Sequence, residues 1–106
     1  MIRRTEVPIY GRRLVLCDDR EEADRALGGL PSNHGAEAWV GARDGSRDVV
    51  MYVGDPRPEL IAHEAVHAAN EILDLAGVDI DAKNDEALAY LVEWVVGRWH
   101  KLMVQT

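Results

Sequence analysis

Apolar positions along the chain change period several times, and each change marks an element. Residues 5–17 carry a strand signal: Val7-Pro8-Ile9-Tyr10, a break at Gly11, then Leu14-Val15-Leu16. Pro8 has no N–H to donate, which makes the first half an edge or a lead-in rather than a central strand. Over 20–27 the spacing turns helical, with a thin apolar stripe at Ala23, Ala26 and Leu27 on a highly charged segment. Asp18 or Asp19 can cap its start and Gly28-Gly29 can stop it. Leu30-Pro31-Ser32-Asn33-His34-Gly35 is loop chemistry throughout. Residues 36–54 read as a hairpin: Ala38-Trp39-Val40-Gly41-Ala42, a turn at Asp44-Gly45-Ser46-Arg47, then Val49-Val50-Met51-Tyr52-Val53. The second of these strands is apolar almost throughout, the pattern of a strand buried on both faces.

Gly54-Asp55-Pro56-Arg57-Pro58 ends that strand and starts a helix over 58–75. Leu60, Ile61, Ala65, Ala68, Ile72 and Leu75 supply its apolar surface, and its alanines keep it narrow enough for close packing. Gly77 supplies the stop, and 78–83 form a connecting loop. Asn84 or Asp85 can cap a last helix running through about Met103, with Leu88, Leu91, Val92, Val95, Trp99 and Leu102 at core spacing. The order is strand, helix, hairpin, helix, helix. It predicts an α+β fold, a small and mostly antiparallel sheet packed on the last two helices. Residues 1–106 show no repeat, low-complexity tract or linker, so one domain is expected.

Composition narrows the partners. The net charge of −7 opposes a general nucleic-acid or anionic-membrane binder, because phosphate affinity comes chiefly from Lys and Arg. No apolar run is long enough to span a bilayer, and no apolar segment follows Arg3-Arg4 as a secretory signal requires. The single cysteine, Cys17, sits in the run Leu14-Val15-Leu16-Cys17 and reads as a buried structural thiol. A cytoplasmic protein with a peptide or protein partner is the expectation, its oligomeric state open.

Two of the four histidines fall on one turn of the 58–75 helix, in His63-Glu64-Ala65-Val66-His67. Residues four apart stand one turn above each other, so both imidazoles can meet one point, as a tetrahedral zinc ion requires, with Glu64 beside it. A hydrolytic site needs a third protein ligand. The arrangement that continues the motif to a glycine and a third histidine fails, since those positions hold Asn70 and Leu73. The last helix is the remaining source, and Glu86 in its first turn is the favoured donor. His100, 14 residues further on, lies ~21 Å along the axis at about 1.5 Å per residue, so it cannot share an ion with Glu86. Glu93, two turns after Glu86 on nearly the same face, is the main rival. Asp79, Asp81 and Asp85 are loop or cap alternatives, and His34 is a further histidine to place.

The segment His-Glu-Ala-Val-His-Ala-Ala-Asn-Glu-Ile-Leu-Asp, followed by Asn-Asp-Glu-Ala-Leu-Ala-Tyr-Leu-Val-Glu-Trp, resembles the gluzincin branch of zinc metallopeptidases. It is similar to the smallest single-domain members and to small proteins of this type encoded by phages and prophages. The resemblance covers about residues 58–96. It implies a zincin-like fold, zinc as cofactor and peptide-bond hydrolysis, in the host cytoplasm if the chain is phage-encoded. It departs from the pattern in one respect: Asp85 stands between Asn84 and Glu86, where an asparagine often directly precedes the ligand glutamate. On this reading His63, His67 and Glu86 hold the metal, Glu64 is the general base and Tyr90 helps stabilise the oxyanion. An extended substrate could add to the free edge of the hairpin. The alternative is a catalytically inert zincin-fold protein that serves phage assembly or binds a host factor.

Overall fold

Leu14-Val15-Leu16-Cys17 and Val49-Val50-Met51-Tyr52-Val53 are buried at every position, and the other elements are layered around them. The computed structural model describes residues 1–29 and 36–104. In chain order its elements are β1 (Ile2–Glu6), β2 (Arg13–Cys17), α1 (Arg20–Leu27), β3 (Ala38–Ala42), β4 (Asp48–Val53), α2 (Pro58–Leu75) and α3 (Glu86–Met103). The fold is a small α+β domain. One sheet has the order β1-β2-β4-β3, with β1/β2 and β3/β4 antiparallel and β2/β4 parallel.

The alternation of side chains in the two central strands builds a core on each face of the sheet. Leu14, Leu16, Val49, Met51 and Val53 face α2 and α3, meeting Ile61, Ala65, Ala68 and Ile72 of the first and Leu91, Val95 and Trp99 of the second. Val15, Cys17, Val50 and Tyr52 turn the other way, with Trp39, onto Ala23 of α1. Burial pushes the Cys17 thiol up to about 12, which keeps it protonated and unreactive.

Local chemistry sets both ends of α1 and the start of α2 where the sequence places them, while the side-chain cap expected for α3 is not formed. Asp19 accepts a hydrogen bond from Glu22 N at 3.0 Å and caps α1, and Gly28 closes it with a φ of 110°. Pro58 opens α2. The C-terminal carbonyl of Leu75 in α2 accepts a hydrogen bond from the Arg12 guanidinium at 3.4 Å, a contact across 63 positions of chain.

The first strand lies earlier than the hydrophobic pattern indicates. It is the charged segment Ile2–Glu6, while 7–12 form the turn into β2. Val7 N bonds Arg12 O at 2.9 Å, Tyr10 N bonds Pro8 O at 2.8 Å, and Ile9 takes a positive φ of 62°. A chain bent in this way cannot continue a strand through Pro8, and the charged β1 suits a sheet edge. Among the described residues, no helix is long and apolar enough to cross a membrane.

Candidate metal centre

The site begins with how α2 lies on the sheet. Ala65, Ala68 and Ala69 are fully buried, so the helix backbone approaches the strands closely along that face. The helical period then sends His63 and His67 out to solvent and tucks Glu64 between helix and sheet. The Nε2 atoms of His63 and His67 stand 3.3 Å apart, their rings at 71° to each other. Two nitrogens at about 2.05 Å from a tetrahedral zinc ion are separated by ~3.3 Å, so this pair fits two corners of such a site without rearrangement.

Glu64 is only 6% exposed, unusual for a glutamate without a cationic partner. Its carboxylate lies 3.9 Å from His63 Nε2. It lines a groove of about 800 Å³ between α2 and β3, together with the two histidines from the helix and Ala38 and Val40 from the strand. Among the described residues β3 is the last strand of the sheet, with no strand paired to its outer edge, and its residues line this groove.

Further along α2 the groove is acidic. Asn70, Glu71 and Asp74 continue the His63–His67 line at helical spacing, and Asp79 joins them from the loop after α2. The apolar pattern does not single out Glu71 and Asp74, and Asn70 stands where the extended histidine motif would need a glycine. Their spacing from His67, at three, four and seven positions, was the available signal.

The other candidates are placed elsewhere. Among the described residues no third His, Cys, Asp or Glu stands with His63 and His67 in a group able to hold a metal ion. Glu86 is exposed in the first turn of α3. The reason is helical phase: α3 gives Leu91, Val95 and Trp99 to the core, which turns Glu86, Tyr90 and Glu93 to the opposite side. Tyr90, 68% exposed, and Glu93 line a separate depression on the outer face of α3. Tyr90 is therefore not brought to the histidine groove. His100 is exposed in the last turn of α3. Asp81 is engaged in its own turn, its Oδ1 accepting from Lys83 N at 2.7 Å and Asn84 N at 3.1 Å, while Asn84 Oδ1 accepts from Asp81 N at 2.7 Å. Asp85 precedes α3 without a side-chain cap bond. His34 lies outside the described residues. Compared with protein-family models, curated proteins and solved structures, the chain gives no match.

Proposed function

We propose that this protein is a zinc-dependent metallopeptidase whose centre is the His63–His67 pair. The observation that carries the reading is the 3.3 Å separation of the two Nε2 atoms beside a buried carboxylate. His63 and His67 would hold the ion. Asp79, which already lines the groove, would be the nearer third donor, and Glu86, turned outward in the first turn of α3, would serve only if that turn rotated toward the groove. A zinc ion held there would supply a Lewis acid and lower the pKa of a neighbouring water toward ~7.

Glu64 does the proton work. Its carboxylate is 6% exposed and lies 3.9 Å from His63 Nε2. From there it takes the proton from the attacking water and returns it to the leaving amine. The peptide lies in the groove as an added strand on the free edge of β3, held by backbone bonds that ask little of its sequence. The proposed setting is the cytoplasm, the host's own if the gene is a phage's.

The test uses purified protein with one equivalent of zinc and an unfolded protein or peptide library as substrate. Cleavage is expected for the native chain, and Glu64→Gln should abolish it while zinc stays bound. Glu86→Gln and Asp79→Asn, compared for zinc affinity, identify the third donor as the one whose loss weakens binding 10-fold or more, roughly the scale of a lost metal partner. Cleavage that survives Glu64→Gln would sink the mechanism. Tight zinc binding with no cleavage of any substrate would favour the inert interaction protein instead.

A further inference from the structure

Gly97 sits in the middle of α3, where the fold makes no use of it. A β-carbon placed there meets nothing within 4 Å. Its backbone is ordinary helix, and glycine at such a position costs about 1 kcal/mol relative to alanine. Packing within the chain supplies no compensation. What a bare helix position does permit is the close approach of another backbone from outside.

The surroundings of Gly97 indicate which backbone. Tyr90, Glu93, Trp94, Arg98 and Lys101 flank it and form a shallow depression of about 440 Å³ with Gly97 among its lining residues. The Arg98 guanidinium lies over the Trp94 ring at 5.3 Å and holds the indole in place. Tyr90, a large side chain 68% exposed, lies on this same face. The charges are self-complementary about Gly97. Glu93 precedes it by four residues and Lys101 follows it by four.

The geometry points to a homodimer in which α3 packs antiparallel on α3 of a second copy, with the two-fold axis passing at Gly97. The two glycines meet at the crossing. Each Glu93 then faces the other copy's Lys101. This is an isologous contact, which a two-fold axis requires to match a surface to itself. One helix face gives a small interface, so the dimer is a weak one, with Kd on the order of 10–100 µM. The proposal does not depend on the zinc reading, because the histidine groove lies between α2 and β3 and shares no lining residue with this face.

Sedimentation equilibrium of the full chain over a concentration series tests it. The native protein should show a monomer–dimer equilibrium. E93K and K101E each put like charges opposite one another at two symmetric places and should each weaken self-association about 30-fold. Mixed in equal amounts, the two variants should associate with one another, since each then meets its opposite charge. Residues 93 and 101 are two turns apart on one helix, so such rescue has to come from a second molecule. Gly97→Leu should abolish the dimer while leaving helicity intact and the dilute thermal midpoint unchanged or higher, which separates a blocked interface from a failed fold. A native chain that stays monomeric up to about 1 mM overturns the proposal. So does a dimer indifferent to these three changes, or a variant mixture that fails to associate. A monomer that binds a labelled oligonucleotide, and loses it in Trp94→Ala, would give the face to nucleic acid instead.

Discussion

Arg13 and Asp48 show how one buried carboxylate is managed where β2 and β4 begin. Asp48 is 6% exposed, and its two oxygens take bonds from Arg13 Nε at 2.7 Å and a terminal guanidinium nitrogen at 2.8 Å. Bidentate pairing of this kind is stronger than a single bond, and it fixes orientation. The Arg13 guanidinium holds the Asp48 carboxyl below its ordinary value of 3.8, against the opposing effect of burial. The stability it contributes is therefore full above that ordinary value and is lost as pH falls through the lower, folded-state value. Asp48→Asn should destabilise the protein by about 2 kcal/mol at neutral pH, the scale of a charge-assisted hydrogen bond with one partner partly exposed. It should also flatten the loss of stability below about pH 4, read from urea midpoints at several pH values. Unchanged acid sensitivity in the variant would mean that other carboxylates govern it.

At the scale of elements, α2 matters because of what it lacks. Small side chains at Ala65, Ala68 and Ala69 let it lie against the sheet, and that seat decides where His63, Glu64 and His67 point. Ala68→Leu should cost about 2 kcal/mol through overpacking and lift the helix. If the histidine pair binds zinc as proposed, the affinity should fall with the stability, although residue 68 would be no ligand; titration with a chromophoric zinc competitor measures this. Native affinity in a destabilised Ala68→Leu protein would show that the pair does not depend on the seat. Arg12→Ala should fray the last turn of α2, at about 0.5 kcal/mol, with amide exchange faster at 73–75 than at 60–64.

The same elements show what was readable beforehand and what was not. The ends of α1 and α2 were legible because Asp19, Gly28 and Pro58 act on their own neighbours. The histidine pair was legible for the same reason: one helical turn determines it. β1 was hidden because its partner in β2, not its own Arg3, Arg4 and Glu6, makes it a strand. Whether α3 brings a carboxylate to the histidine pair was beyond reach of periodicity. A helical pattern says that Glu86, Tyr90 and Glu93 share a face, but how α3 lies against α2 decides where that face looks.

For the whole molecule, the decisive feature is the parallel pairing of β2 with β4, which joins Arg13 to Asp48 and Cys17 to Tyr52. The hairpin of β3 and β4 was visible in the pattern, but this non-local pairing was not, since nothing in either strand names its neighbour. One sheet carries both cores, so they should unfold together. Fluorescence of Trp39 on the α1 side and of Trp99 on the α3 side, read in single-tryptophan variants, should give one midpoint that coincides with far-UV circular dichroism. Separate midpoints would mean that α1 and its core melt independently.

That arrangement also has a consequence outside the folded state. Val49-Val50-Met51-Tyr52-Val53 is uncharged, β-prone and free of proline and glycine, the kind of segment that stacks readily with its own copies. In the native sheet it is hidden by a strand on each side and a helix layer on each face. Its parallel partner arrives from 35 positions earlier in the chain, and such long-range pairing forms late. Between release of the chain and closure of that ladder, Asp48 at one end and Gly54-Asp55-Pro56 at the other are its immediate guards. Aggregation during refolding should therefore be governed by these flanking residues.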